Sequence, residues 1–135
     1  MADLSTQWLG LSLRSPLVVS ASPLSHDPDA IASAVDSGAG AVVMYSLFEE
    51  QLAFEQMAAH RYVDSMLDMD AEARSILPSA SAASMDVQPY LREVDRLKKR
   101  VDVPIVASLN GTTPGGWTSY ASKLEASGVD ALELN

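Results

Sequence analysis

Small hydroxyl and amide side chains stand where four short apolar runs end. They occur in the stretches 20–23 (Ser-Ala-Ser-Pro), 45–46 (Tyr-Ser), 108–111 (Ser-Leu-Asn-Gly) and 133–135 (Glu-Leu-Asn). Hydroxyl and amide groups donate and accept hydrogen bonds, so such a set could line the polar rim of a planar ligand. Helix caps and turns also need Ser, Asn and Gly, and spacing alone leaves both interpretations open. None of the four stretches supplies a His, a Lys or a cluster of metal ligands, and no metal site is predicted.

The apolar runs that precede these residues are typical of buried parallel strands. We predict four strands at 17–21, 41–44, 105–108 and 131–134, adjacent in that order, after a small hairpin over 4–14. Alternation of side chains then places pairs of the polar residues on common faces: Ser20 with Ser22, Ser108 with Asn110, and Glu133 with Asn135.

Helix signals separate the strands. Asp27 is a candidate N-cap with Pro28 at the first helical position, and Gly38 is a candidate helix terminator. The same reasoning predicts helices over about 28–37, 90–100 and 117–127. The segment 47–84 is too long for a simple connection and is predicted as a helical insertion.

The repeated unit of strand, helix and glycine indicates an α/β fold. The stretches 36–44 and 126–134 follow the same pattern, in which a helix stops at a glycine and a short apolar strand follows. A (β/α)8 barrel has eight such steps in ~250 residues. Residues 1–135 are therefore predicted to form half of a TIM barrel, with β/α units over 16–135.

Composition excludes several classes of protein. A net charge of −9 disfavours binding to nucleic acid, and the absence of cysteine excludes disulfides and thiolate metal sites. No apolar run approaches the ~20 residues that cross a bilayer, and the first residues predict no signal peptide. These features predict a cytoplasmic protein without nucleic-acid or membrane partners.

The strand ends resemble those of the N-terminal half of the dihydroorotate dehydrogenase family, which implies that residues 1–135 form the N-terminal half of a TIM barrel. The similarity is carried by 17–23 (Leu-Val-Val-Ser-Ala-Ser-Pro), 38–43, 108–111 and 131–135 (Ala-Leu-Glu-Leu-Asn), and 46–50 (Ser-Leu-Phe-Glu-Glu) points to a dihydroorotate dehydrogenase-like subgroup. The resemblance implies a flavoprotein of pyrimidine biosynthesis in which FMN accepts a hydride from a dihydropyrimidine, a small-molecule substrate.

Site residues follow from the same resemblance. It implies FMN contacts at Ala21, Ser22, Asn110 and Asn135, and substrate contacts at Tyr45, Ser46 and Asn135. The family's catalytic Cys or Ser is expected beyond Asn135, so no catalytic residue is assigned within 1–135.

Three departures from the family pattern are visible. The family's Lys after the second strand falls at Tyr45, Pro23 replaces a Gly, and the Asn-rich substrate loop has no counterpart.

Two functions from different classes remain open at this stage. The first is the front part of an FMN-dependent oxidoreductase. The second is a non-catalytic half-barrel, either a fragment or a subunit that needs a partner half to close the sheet. Unpaired edges of a parallel sheet favour association with another chain, so formation of a homo-oligomer is also predicted.

Overall fold

The computed structural model describes residues 2–55, 57–58 and 87–135. In chain order the elements are β1 (Thr6–Trp8), β2 (Leu11–Leu13), β3 (Val18–Val19), a 3-10 helix (Pro23–His26), α1 (Pro28–Asp36), β4 (Ala41–Phe48), α2 (49–55 and 57–58), α3 (Gln88–Arg100), β5 (Ile105–Asn110), α4 (Pro114–Ala126) and β6 (Ala131–Leu134).

The strands form two sheets. β1 and β2 make a separate antiparallel pair, which confirms the predicted hairpin. The other four strands form one parallel sheet in the order β3-β4-β5-β6, so the predicted parallel pairing of consecutive strands is confirmed. Consecutive parallel strands joined through helices are what β/α units produce. The carboxyl ends of all four strands therefore share one edge of the sheet.

The helices begin and end where the local chemistry requires. Asp27 caps α1, because its side chain accepts hydrogen bonds from the amides of Asp29 and Ala30. Beyond its C-terminus Gly38 adopts φ +113°, a conformation that glycine enters without a steric penalty. The predicted helix start and stop for α1 are thus confirmed.

The apolar core lies between one face of the sheet and the helices α1, α3 and α4. It includes Ile31, Val94, Leu97, Ile105 and Leu124, all fully buried. Because side chains alternate along a strand, the neighbours of the core-facing residues project from the opposite face. That second face carries Val43 and Val106, which pair in register and are also buried.

β4 is longer than predicted and contains a bulge. The pairing with β5 shifts between Val43 and Ser46, since two residues of β4, Met44 and Tyr45, there oppose a single residue of β5, Ala107. The predicted end at Met44 is therefore wrong, and Tyr45 and Ser46 lie inside the strand. The extra residue moves Ser46 onto the face that carries Ser108, its register partner.

Three other predicted boundaries differ from the structure. β3 covers only Val18–Val19, and the chain then turns into a 3-10 helix that was not predicted. β5 extends two residues further, to Asn110. α4 begins at Pro114 and not at Trp117, because Thr113 caps it by accepting a hydrogen bond from the Gly116 amide at 2.9 Å. Most of the predicted insertion at 47–84 lies outside the described residues.

Within the described ranges, no helix is long and apolar enough to cross a membrane. The same ranges hold no group of three or more His, Cys, Asp or Glu side chains arranged to bind a metal ion.

Candidate functional site

A cleft of about 560 Å³ opens at the carboxyl edge of the sheet, beside β3 and β4. Its walls come from the segment after β3, the second half of β4, α2 and the start of α3. Four of the sequence-predicted site residues line it, namely Ala21, Ser22, Tyr45 and Ser46. Ligand sites of open α/β sheets lie at this edge, so the cleft is the leading candidate site.

A row of polar side chains crosses three strands at the same edge. Ser46 Oγ and Ser108 Oγ share a hydrogen bond of 2.9 Å, and Asn135 Nδ2 donates to Ser108 Oγ at 3.3 Å. Ser108 is fully buried between its two partners. The row therefore joins β4, β5 and the residue after β6 into one continuous polar strip, which we call the Ser-Ser-Asn row.

Beside the bulge in β4, two backbone amides donate hydrogen bonds to side-chain hydroxyls. The Tyr45 amide donates to Ser25 Oγ at 2.8 Å, and the Ser108 amide donates to Tyr90 Oη at 3.2 Å. Ser25 and Tyr90 are each 1% exposed. Buried amides without partners are costly, so these two hydroxyls stabilise the backbone geometry that places Ser46 in the row.

An aromatic cluster forms the wall between the cleft and α3. The Tyr45 ring stacks on His26 with centroids 3.9 Å apart and meets Tyr90 edge-on at 4.9 Å. His26 Nδ1 lies 3.1 Å from Glu93 Oε2. Burial, and then the nearby Glu93 carboxylate, raise the pKa of Tyr45 to about 12. Burial also raises the pKa of Tyr90, so both phenols are neutral hydrogen-bonding groups near pH 7.

Glu133 lies in β6 opposite Ser108, on the face that carries the Ser-Ser-Asn row. Its Oε2 atom is buried and has no hydrogen-bond partner within the described part of the chain. A buried carboxylate oxygen normally accepts a hydrogen bond. Glu133 therefore offers an acceptor beside the hydroxyl and amide groups of the row.

Glu49 lies just past the cleft-lining end of β4 and points away from the cleft. Its carboxylate accepts hydrogen bonds from the amides of Thr112 (2.6 Å) and Thr113 (3.0 Å) and from Thr113 Oγ1 (2.5 Å). The Thr113 hydroxyl, followed by the Thr112 and Thr113 amides, lowers the pKa of Glu49 to about 2. The carboxylate thus remains charged at the first turn of α4, where negative charge is favoured.

The structure brings the predicted site residues into two adjoining groups. Ala21, Ser22, Tyr45 and Ser46 line the cleft, while Asn135 joins Ser46 through Ser108. Asn110 ends β5 in register with Phe48, two residues beyond Ser108.

Sequence reasoning assigned no role to Tyr90, His26 or Glu49. Tyr90 lies in the first turn of α3, and its apolar spacing with Val94 and Leu97 was the signal available for it. The contacts of His26 and Glu49 depend on distant segments.

No protein-family model matches the chain. Similarity to individual proteins is nevertheless found over nearly the whole chain. It is 26% identical to the catalytic subunit of dihydroorotate dehydrogenase B (NAD(+)) of Thermoplasma acidophilum, over 136 aligned positions that cover 100% of this chain and 42% of that protein.

A putative dihydroorotate dehydrogenase A (fumarate) of Aeropyrum pernix is 26% identical, covering 98% of this chain and 40% of its own length. A dihydroorotate dehydrogenase B (NAD(+)) catalytic subunit of Methanosarcina mazei is 28% identical, covering 93% of this chain and 38% of its own. The chain spans about two-fifths of the length of the curated relatives it matches. These relatives confirm the resemblance that the strand-end motifs predict.

Proposed function

We propose that this chain, which is related along its length to the dihydroorotate dehydrogenase family, forms the N-terminal part of an FMN-dependent oxidoreductase on a (β/α)8 barrel. The reaction proposed is hydride transfer from a dihydropyrimidine to the flavin. Support comes from the relatives and from the parallel order β3-β4-β5-β6, which is the order of consecutive units in such a barrel.

The observation that carries the proposal is the Ser-Ser-Asn row. It lies at the carboxyl edge of the sheet, where barrel enzymes place their sites, and it runs across three strands. The edge of a flavin ring alternates hydrogen-bond donors and acceptors. The hydroxyls of Ser46 and Ser108, the Asn135 amide and the Glu133 oxygen that has no partner among the described residues can satisfy both kinds of group.

The described residues fit the ring of FMN better than its phosphate. Ala21 and Ser22 line the cleft together with Ser46, so a planar group there would contact both the segment after β3 and the second half of β4. The described lining of the cleft contains no Lys or Arg. Phosphate sites of barrels commonly come from the loops after strands seven and eight, so we assign the phosphate to residues outside this lining.

When bound, FMN would supply the hydride acceptor. The residues of this chain would bind and orient the flavin and the substrate and would exclude water from them. Ser46 and Asn135 would hold polar atoms of the flavin or the substrate, with Ser108 fixing both. Tyr45 would offer a neutral hydroxyl or its ring face, because its raised pKa of about 12 keeps the phenol protonated. The base that removes the substrate proton is assigned beyond Asn135, as the family resemblance implies.

The proposal is tested by measuring FMN affinity in the protein that carries this segment. Asn135→Ala removes one hydrogen-bonding group and should weaken FMN binding about tenfold, the equivalent of ~1.4 kcal/mol. Ser119→Ala, on the exposed surface of α4, is the matched control and should leave the affinity unchanged. Unaltered affinity in both Asn135→Ala and Ser108→Ala would overturn the assignment of the row to FMN.

The second candidate is a non-catalytic half-barrel that acts only with a partner half. It is favoured by the pairing pattern, since β3 and β6 each pair with one neighbouring strand among the described residues. Anaerobic addition of dihydroorotate separates the two functions. Bleaching of bound flavin supports the enzyme, whereas flavin that stays oxidised until a second polypeptide is added supports the half-barrel.

A further inference from the structure

Glu49 connects two segments that are far apart in sequence. It is the first residue of α2 and follows directly on the strand end that lines the cleft. Its carboxylate binds both the backbone and the side chain at the start of α4, through Thr112 and Thr113. Three hydrogen bonds to one carboxylate fix the position of the residue much more firmly than a single surface ion pair does.

The first turn of α4 accepts this carboxylate because residue 116 is glycine. A Cβ atom at Gly116 would overlap the Glu49 carboxyl group. A Cβ atom at the neighbouring Gly115 would meet nothing within 4 Å. The two adjacent glycines therefore differ: a methyl group at position 116 would displace the Glu49 carboxylate, and one at position 115 would displace nothing.

α2 is also a wall of the cleft. Gln51, Leu52 and Glu55 project from it into the lining, whereas Glu49 points the other way, to α4. Leu52, 9% exposed, gives α2 a second attachment through the apolar core. Glu49 thus holds the near end of α2 at the point where the helix leaves β4.

We propose that Glu49 is a positioning residue whose contact with α4 fixes α2 and so sets the width of the cleft. This role does not depend on which molecule the cleft binds. It explains why a charged side chain that faces away from the cleft is tied to the beginning of the following β/α unit. Loss of the contact would let α2 pivot about Leu52 while the sheet and its core stay intact.

The test measures the cleft directly by the distance between two spin labels. Residues 1–135 contain no cysteine, so Pro23→Cys and Glu55→Cys place one label on each of two cleft walls in this chain. Double electron–electron resonance spectroscopy then gives the distribution of distances between the two labels, in the doubly labelled parent protein and in three variants of it. Glu49→Gln weakens the contact, Gly116→Ala displaces the carboxylate, and Gly115→Ala adds the same methyl group one residue earlier without a clash.

We expect a longer and broader distance distribution in Glu49→Gln and Gly116→Ala, and an unchanged one in Gly115→Ala. Amide hydrogen exchange should rise several-fold at 49–55 and 112–113, while α1 and β5 keep their protection. Two results would overturn the proposal. One is a distribution that all three variants leave unchanged. The other is faster exchange throughout the chain with no change in label distance, which would make Glu49 a contributor to global stability alone.

Discussion

Replacing Tyr90 by Phe should destabilise the fold even though it removes a single oxygen atom. The hydroxyl accepts a hydrogen bond from the Ser108 amide at 3.2 Å, at the point where the bulge in β4 interrupts the ladder. Tyr90 is 1% exposed and Ser108 is fully buried. Without the hydroxyl, the amide of Ser108 would be buried with no partner in its place.

The size of the effect follows from that geometry. Phe keeps the ring, so the packing against Tyr45 and the core remains. The substitution therefore leaves no cavity of side-chain size. A buried amide left unpaired costs about 1–3 kcal/mol. For a chain of this length that corresponds to a fall in Tm of roughly 4–10 °C.

Urea and thermal unfolding followed by circular dichroism measure this cost. Ser25→Ala removes the acceptor of the Tyr45 amide. It should lower the free energy of unfolding by a similar amount, because it too leaves an amide beside the bulge without its partner. Ser37→Ala is the control, because its hydroxyl bonds to Ser33 on the exposed end of α1, and it should change stability by less than ~0.5 kcal/mol. If the free energy of unfolding of Tyr90→Phe lies within ~0.5 kcal/mol of that of the parent protein, the role given to the hydroxyl is refuted.

Four further outcomes are expected. Glu49, whose pKa falls from 4.5 to about 2 on folding, contributes stability above pH 4.5 that is lost as the pH falls towards 2, so acid unfolding of Glu49→Gln should depend less on pH. Tyr45, whose pKa rises from 10.0 to about 12, contributes stability below pH 10 that is lost as the pH rises through 12, and an alkaline titration by tyrosine absorbance should show late ionisation coupled to unfolding. In the protein that carries this segment, steady-state turnover of dihydroorotate should be slow, because a neutral phenol does not supply the charge of an ammonium group; fast turnover that Tyr45→Lys leaves unaltered would contradict this. A polypeptide of residues 1–135 alone should bind FMN weakly and self-associate through its strand edges, and a monodisperse monomer with stoichiometric FMN in gel filtration and flavin titration would argue against it.

The order of elements was predictable because local patterns encode it. Asp27, Pro28 and Gly38 mark the ends of α1 by their own backbone and capping chemistry, which requires no distant partner. Short apolar runs separated by helical ones predict parallel strands in sequence order, and the sheet has that order. The polar strand ends predicted the edge at which the candidate site lies.

The arrangement within the site was decided only by tertiary structure. The bulge at Tyr45 reverses the face on which Ser46 would lie. The amides of Tyr45 and Ser108 donate to the hydroxyls of Ser25 and Tyr90, 20 and 18 residues away in sequence. Glu49 finds its partners at Thr112 and Thr113, more than 60 residues further on. A residue's own type and near neighbours determine helix ends and strand runs, whereas bulges, buried hydrogen bonds and long-range carboxylate contacts depend on which segments folding brings together. The sequence therefore determined where the site lies, and the packed sheet determined which side chains meet there.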